Sequence, residues 1–181
     1  MDRVACDYWN SREVSHYRRM LKRQAPLWRF VRTYIDERGI QSCLEPGCGL
    51  RSPARKWVPN YHGIDLQERG DAICDDFLTM DVASWVGVDL LLACGILEHT
   101  GPWFLRFFQQ VARVRARHTI ISIFGGLDHR KSSFYRDPRG FWVNSFRAEH
   151  VQAILQDQDM AARIEVLGPR STVIVVEREG G

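Results

Sequence analysis

The sequence predicts a single α/β domain with a mainly parallel sheet, and two features of its pattern lead to that prediction. From residue 40 onward, short apolar runs of strand length alternate with segments of helical periodicity, as in chains that form parallel α/β sheets. The tail instead places two apolar runs around Gly168 and Pro169, which is typical of an antiparallel hairpin. At 181 residues the chain has the ordinary size of one domain.

Two helices are expected before the alternating region. One is predicted near Ser11, and the second begins at Pro26, where proline suits the first helical turn, and ends at Gly39. Strands are then predicted at residues 40–44, 61–66, 71–74, 89–94 and 119–124, and helices from Ser52, at 102–115, and at 146–156 with Ser145 as cap. Residues 125–145 show no regular pattern and are predicted to form a long loop.

Composition favours a soluble globular protein. The chain is 45% hydrophobic and 26% charged, which is too apolar for a disordered protein. Its longest apolar run, residues 90–97, is too short to span a membrane, and its first ten residues contain no apolar signal core. The five cysteines form no CxxC pair and no metal-ligand spacing. We therefore expect a cytoplasmic protein with no metal and no membrane partner.

The net charge of +3 is unevenly distributed. Residues 1–40 contain nine Arg and Lys against five Asp and Glu, an excess of four. Such an excess can attract a polyanion such as a nucleic acid, or it can belong to a solvated helix surface. Both interpretations stay open.

The segment EPGCG, residues 45–49, follows a predicted strand and is the first candidate ligand site. Its glycines allow a sharp turn and a close approach of a ligand to the backbone, or they serve tight packing alone. The Gly-Lys-Ser/Thr of a phosphate loop is absent, and Ser52 stands where a dinucleotide fingerprint has its third glycine. Glu45 would repel a pyrophosphate but suits a positively charged ligand such as S-adenosylmethionine, which carries an ammonium and a sulfonium.

The loop resembles the first motif of the class I S-adenosylmethionine-dependent methyltransferases, an acidic residue followed by Gly-x-Gly. Three further stretches resemble that family in the right order: YHGID ending at Asp65, the pair Asp75 and Asp76 after the third predicted strand, and ACGILEHT after the fourth. The resemblance covers residues 40–124 well. It implies a Rossmann-like fold, namely a seven-stranded, mainly parallel sheet with a C-terminal antiparallel hairpin, helices on both faces and extra N-terminal helices.

The resemblance also implies roles for individual residues. The loop 45–49 would surround the methionine end of S-adenosylmethionine, and the Asp65 carboxylate would accept hydrogen bonds from both ribose hydroxyls. Asp75 and Asp76 would contact the adenine amino group, with Phe77 beside the ring, and the backbone after the fourth strand would lie beside the sulfonium. Read without the resemblance, the same aspartates could be turn caps or exposed loop residues. The expected cofactor-binding residues are Glu45, Gly47, Cys48, Gly49, Asp65, Leu66, Asp75, Asp76, Phe77, Cys94 and Gly95.

Methyl transfer from a sulfonium rests largely on alignment, and a base is needed only if the acceptor must lose a proton. His99 is the first candidate base, because histidine titrates near neutrality and this one follows the fourth strand; His129 is the second. A core hydrogen bond or a helix cap is an equally good explanation for His99. Cys48 and Cys94 are expected to be packing residues rather than nucleophiles.

The sequence indicates the methyl acceptor more weakly than it indicates the cofactor. ACGI stands where amino-methylating DNA and glutamine enzymes have Asp/Asn-Pro-Pro-Tyr/Phe, and Glu-His there is more usual in members acting on small molecules. The cations and aromatics of residues 125–145 suit a planar or anionic acceptor. We predict a methyltransferase for a small-molecule or nucleotide-like acceptor, modified on oxygen or nitrogen. The alternatives are an RNA or DNA methyltransferase and a catalytically silent binding or scaffold protein.

This prediction treats residues 1–181 as one methyltransferase-like domain with four parts. Residues 1–39 form N-terminal helices and 40–124 the S-adenosylmethionine-binding core, while 125–145 form the acceptor-side loop and 146–181 the C-terminal helix and hairpin.

Overall fold

The computed structural model describes residues 22–50, 52–68, 70–124, 127–138, 140–168 and 171–178, without the side chains of residues 128–131. The helix predicted near Ser11 falls almost entirely outside the described residues. The helices are α1 (Ala25–Arg38), α2 (Phe104–Val114) and α3 (Ala148–Asp157). The strands are β1 (Ser42–Pro46), β2 (Asn60–Asp65), β3 (Ile73–Cys74), β4 (Leu90–Cys94), β5 (His118–Phe124), β6 (Asp128–Arg136), β7 (Trp142–Arg147), β8 (Ala162–Gly168) and β9 (Ser171–Glu177).

Seven strands form one sheet in the order β3-β2-β1-β4-β5-β9-β8. The first five are mutually parallel, whereas β9 runs antiparallel to both β5 and β8. The predicted mainly parallel sheet with a closing antiparallel hairpin is therefore confirmed. Successive strands extend in opposite directions from the boundary between β1 and β4, and open α/β sheets bind ligands beyond the carboxyl ends of the strands at such a switch point.

Alternating side chains of the central strands divide the core into two layers. In β4, Leu90 and Leu92 face the layer that contains α1, whereas Leu91 and Ala93 face the layer that contains α2 and α3. All four are fully buried. A strand that is buried on both faces reads as a continuous apolar run, which is why residues 90–94 show no polar alternation. The prediction of helices on both faces is confirmed.

Helix α1 begins and ends where the sequence predicts. Pro26 lies in its first turn, and Gly39 follows its last residue with a left-handed φ of 60°, a backbone conformation that favours glycine. The helix is joined to the amino edge of the sheet through Tyr34, whose hydroxyl donates a 2.7 Å hydrogen bond to Glu177. Among the described residues, no helix is both long and apolar enough to cross a membrane.

The predicted loop over residues 125–145 is wrong as a secondary-structure prediction, because β6 and β7 form a separate two-stranded antiparallel sheet. Phe134 stacks on Phe104 with ring centroids 4.7 Å apart, and Phe146 packs against both rings. This aromatic cluster stabilises the hairpin by tertiary contacts, and the many charged residues of the segment hide its strand periodicity. Helix α3 consequently starts at Ala148, since Ser145 and Phe146 belong to β7.

The helix predicted after the glycine loop is only a 3₁₀ turn, Pro53–Lys56. Ser52 does not cap it through its side chain; the Ser52 hydroxyl instead donates a 2.5 Å hydrogen bond to the carboxylate of Glu45. Without that cap, and with only four residues, the turn does not extend into an α-helix. Residues Gly101–Trp103 likewise form a 3₁₀ turn before α2 begins.

Candidate active site

The loops after β1 and β4 meet at the carboxyl edge of the sheet, beside the switch point. Gly47 has a left-handed φ of 69°, and its amide donates a 2.8 Å hydrogen bond to the carbonyl of Ile64 in β2. A Cβ on Gly47 would lie 3.3 Å from Cδ1 of Ile96, so the loop after β1 packs closely against the loop after β4. The glycine permits both the turn and the contact.

The carboxylate of Glu45 lies beneath the glycine loop. Its side chain is 2% exposed, and Oε2 accepts hydrogen bonds from the hydroxyls of Ser52 (2.5 Å) and Tyr61 (2.8 Å). Burial raises the pKa of Glu45 to about 7, although these two hydrogen bonds act in the opposite direction. Glu45 therefore links the loop to β2 and the 3₁₀ turn, a structural role that its sequence position does not reveal.

Replacing Glu45 with glutamine should make folding stability less dependent on pH. Because the folded-state pKa of Glu45, about 7, lies above the unfolded value near 4.5, its contribution to stability is fully present below pH 4.5 and is lost as pH rises to 7. Chemical denaturation at pH 5 and pH 8 should show the stability of Glu45→Gln relative to wild type increasing by up to about 3 kcal/mol. A difference that is constant across this range would contradict the assignment.

Cys48 packs inward from the loop onto β2. Its side chain is buried, and a Cβ on Gly63 would lie only 2.6 Å from Cys48 Sγ. Burial raises the pKa of Cys48 to about 12 and that of Cys94 well above its usual value. Both thiols are therefore protonated at neutral pH, which fits packing rather than nucleophilic chemistry.

Asp65 joins the end of β2 to the glycine loop. Oδ2 accepts a 3.0 Å hydrogen bond from the amide of Gly49, and Oδ1 accepts a 3.3 Å hydrogen bond from the amide of Gln67. The side chain is partly exposed, and Leu66 follows it at the end of the strand. Gly49 has a left-handed φ of 59°, and no described residue lies within 4 Å of a Cβ built on it.

Asp75 lies close to Asp65 because its amide donates a 3.0 Å hydrogen bond to the Asp65 carbonyl. The Asp75 side chain is exposed, whereas Asp76 Oδ1 accepts a 3.0 Å hydrogen bond from the amide of Leu78 and so caps a turn. Phe77 is 2% exposed and packs edge-on against Phe107. The adenine ring expected beside Phe77 would therefore contact the backbone of this residue, because the Phe77 side chain is turned into the core.

Gly95, directly after β4, resembles Gly49 in its surroundings. It has a left-handed φ of 66°, and its amide donates a 3.2 Å hydrogen bond to the hydroxyl of Ser122 in β5. No described residue lies within 4 Å of a Cβ built on it, and Cys94 before it is half-buried. Two glycines with the same backbone conformation thus follow β1 and β4, each beside space that no described residue fills.

The segment after β4 also carries His99 and Glu98. His99 Nδ1 lies 3.0 Å from the carbonyl oxygen of Trp142 in β7. Glu98 is 5% exposed; Oε1 accepts a hydrogen bond from the amide of Phe124, while Oε2 is buried with no hydrogen-bond partner among the described residues. Burial raises the pKa of Glu98. The side chain of His129, the second candidate base, lies outside the described part of the chain.

Trp142 and Arg136 belong to the cations and aromatics that the sequence places in residues 125–145, but their contacts beside the segment after β4 were not predicted. The Trp142 ring lies perpendicular to that of Trp103, with centroids 6.5 Å apart, and the Arg136 guanidinium lies 4.9 Å from the Trp142 ring centroid. Trp103 is 45% exposed. An exposed aromatic surface with a cation therefore borders the segment after β4, and only the composition of residues 125–145 hinted at it.

Similarity to solved structures is extensive in fold and low in sequence. A 1,6-didemethyltoxoflavin-N1-methyltransferase from Burkholderia thailandensis, with bound 1,6-didemethyltoxoflavin and S-adenosylhomocysteine, superposes with a TM-score of 0.74 at 13% identity, over 97% of this chain and 87% of that one. Magnesium protoporphyrin IX methyltransferase from Synechocystis PCC 6803, with bound S-adenosylmethionine, gives 0.69 at 15% identity over 98% of both chains. The chain therefore shares its Rossmann-like fold with these two structures.

The same methyltransferase fold occurs in the small RNA methyltransferase HEN1, with a TM-score of 0.65 at 13% identity over 88% of this chain and 25% of that one. No protein-family model matches the chain, and no curated protein matches its sequence. The likeness therefore establishes the Rossmann-like fold that the resemblance implied.

Proposed function

We propose that the chain is an S-adenosylmethionine-dependent methyltransferase. The observation that carries the proposal is the pair Gly49 and Gly95, which share a left-handed backbone and lie on either side of the switch point beside space that no described residue fills. Left-handed glycines at the ends of two neighbouring strands allow a ligand to approach the backbone on both sides. Structures of the same fold are crystallised with S-adenosylmethionine or S-adenosylhomocysteine bound.

Charge supports a cationic cofactor over a pyrophosphate. The carboxylate of Asp65 lies beside the glycine loop, where it would repel a pyrophosphate and attract an ammonium or sulfonium. In this assignment the loop 45–49, with Gly47 and Cys48, surrounds the methionine end, and Asp65 with Leu66 binds the ribose. Asp75, Asp76 and the backbone of Phe77 contact the adenine, and Cys94 with Gly95 lies beside the sulfonium.

A methyl group on Gly95 should weaken S-adenosylmethionine binding by about tenfold or more, because the new Cβ occupies space that the cofactor needs. Gly87→Ala is the matched control: Gly87 has a φ of 80° and equally open surroundings, but it lies before the amino end of β4. Both variants should lose about 1 kcal/mol of stability through left-handed strain. Calorimetry should show weaker binding in Gly95→Ala alone.

The same titration tests the proposed function itself. Wild type should bind S-adenosylmethionine and S-adenosylhomocysteine, and NAD should not compete. Wild-type protein that binds neither at millimolar concentration would remove the methyltransferase proposal and leave a binding or scaffold protein with this fold. Preferential binding of NAD would show that the crevice belongs to an oxidoreductase.

The proposed acceptor is a small, planar molecule that is methylated on oxygen or nitrogen. Trp103, Trp142 and Arg136 form an aromatic and cationic surface beside the segment after β4, which suits a planar or anionic ring. We therefore propose that residues 40–124 bind the cofactor and that the hairpin within residues 125–147 faces the acceptor. His99 is the proposed base where the acceptor has a proton to lose, with His129 as the second candidate.

An RNA acceptor is the second candidate, favoured by the occurrence of this fold in a small RNA methyltransferase. Binding of RNA should weaken steeply as salt increases, since contacts to phosphates release counterions. Fluorescence anisotropy with a labelled RNA at 50 and 200 mM salt distinguishes the two acceptors. An affinity that changes little with salt would exclude the RNA interpretation.

A further inference from the structure

Asn144 of β7 fixes the segment that follows β4. Its side chain is 3% exposed, and Nδ2 lies 3.1 Å from the carbonyl of Leu97, 3.0 Å from Thr100 Oγ1 and 3.0 Å from the carbonyl of Gly101. The Thr100 hydroxyl donates its own hydrogen to the Leu97 carbonyl, at 2.9 Å, so Thr100 Oγ1 accepts from Asn144 as the two carbonyls do, and the two hydrogens of Nδ2 are shared among the three oxygens. One buried side chain of the hairpin therefore holds residues 97–101 in place.

Trp142, two residues earlier on the same strand, contacts the same segment twice. Its ring lies directly over Gly101, where a Cβ would come within 2.6 Å of Trp142 Cγ. Its carbonyl oxygen lies 3.0 Å from His99 Nδ1. A carbonyl oxygen only accepts hydrogen bonds, so the proton of the neutral imidazole must be on Nδ1, and the lone pair must then be on Nε2.

We propose that Asn144 and Trp142 are positioning residues for His99, which they hold in the tautomer whose basic nitrogen is Nε2. The use of that nitrogen in catalysis rests on the proposed methyltransferase function. The acceptor's nitrogen or oxygen forms a bond to the methyl carbon as the carbon–sulfur bond breaks and its electron pair goes to sulfur. The proton that the acceptor loses passes to Nε2, which leaves an imidazolium that releases this proton to water.

The tautomer of His99 distinguishes a positioning role of Asn144 and Trp142 from a purely structural one. A residue that only stabilises the hairpin would lower stability when it is replaced, without a specific change at His99. A positioning residue would also change which nitrogen of His99 carries the proton. Long-range ¹H–¹⁵N correlation spectra report that directly, because the signals of the two ring nitrogens differ according to which of them carries the proton.

The experiment compares wild type, Asn144→Ala and Gly101→Ala, with His99→Gln used to assign the signal. Wild-type His99 should carry its proton on Nδ1. Asn144→Ala removes the hydrogen bonds that hold residues 97–101, whereas Gly101→Ala displaces the Trp142 ring and keeps Asn144. In both variants the Nε2–H form of His99 should become the major tautomer. Gly101→Ala keeps the test decisive if Asn144→Ala does not fold.

Tyr34→Phe is the matched control, because the Tyr34 hydroxyl lies 3.0 Å from Nδ1 of His118 at the opposite edge of the sheet. That variant should alter the His118 signal and leave His99 unchanged. The proposal is overturned if wild-type His99 carries its proton on Nε2, or if His99 keeps its proton on Nδ1 in both Asn144→Ala and Gly101→Ala.

Calorimetry separates this proposal from the proposed function. Asn144→Ala should bind S-adenosylmethionine within twofold of wild type, since Asn144 is not among the cofactor-binding residues. If wild type binds no S-adenosylmethionine, the methyltransferase proposal fails, while the tautomer measurement still decides whether the hairpin positions His99.

Discussion

Asp65→Ala should lower the affinity for S-adenosylmethionine about a hundredfold while the domain remains folded. Asp65 lies at the end of β2 with a partly exposed carboxylate, where the two ribose hydroxyls would each donate a charge-assisted hydrogen bond. Such bonds contribute about 1.5 kcal/mol or more each, so losing two corresponds to about two orders of magnitude in affinity. Isothermal calorimetry measures the loss directly.

Part of that effect could arise from the loop, because Asp65 Oδ2 also accepts the amide hydrogen of Gly49. Asp65→Asn tests this, since its amide oxygen can still accept from Gly49 while its NH₂ group cannot accept from a hydroxyl. Asp89→Ala is the control at the amino edge, where Asp89 Oδ2 accepts from the amides of Gln41 and Ser42. It should lose stability and keep its affinity. An Asp65→Ala variant with unchanged affinity would show that the ribose site is misplaced.

Gly63→Ala should destabilise the domain by about 2 kcal/mol, as overpacking of a close-packed interior typically does. The new Cβ would lie 2.6 Å from Sγ and 3.0 Å from Cβ of Cys48, and 3.2 Å from the Tyr61 hydroxyl. The loop must then move away from β2, so S-adenosylmethionine affinity should also decrease. Denaturant unfolding and calorimetry on the same preparation measure both effects.

Two further variants decide whether the contact with Cys48 is the cause. Adding Cys48→Ala removes the sulfur and should restore part of both the stability and the affinity. Gly168→Ala is the control, since Gly168 also lies in a strand with an ordinary φ, but a Cβ there meets nothing described within 4 Å. It should be neutral or slightly stabilising. A Gly63→Ala variant as stable as Gly168→Ala would mean that the loop does not pack this tightly.

The fold could be predicted because its central signals are local. The run LLLAC of β4 and the run HTIISIF of β5 are buried on both faces, so they appear as continuous apolar segments between helical ones. The β6–β7 hairpin could not be predicted in the same way. Its strands are stabilised by contacts of Phe134 and Phe146 with Phe104, and those contacts are remote in sequence.

The sequence predicted where the candidate site lies in the sheet, but not how its side chains are oriented. The glycine loop, Asp65 and Gly95 all lie at the carboxyl edge because parallel strands end there together. What the spacing does not show is which way each side chain points. Glu45 turns inward to Ser52 and Tyr61, and Phe77 turns into the core. Orientation depends on register and packing, which one sequence does not display.

The separateness of the β6–β7 sheet bears on how acceptor choice can change over evolution. Because the hairpin has its own backbone pairing and an internal contact between Phe134 and Phe146, substitutions on its outer face need not disturb the seven-stranded sheet. It is attached to residues 97–101 by Asn144 and Trp142, and to α2 by the packing of Phe134 and Phe146 on Phe104. In the proposed methyltransferase, new acceptor preferences can therefore arise through substitutions on the hairpin surface, while the residues proposed to bind the cofactor stay unchanged.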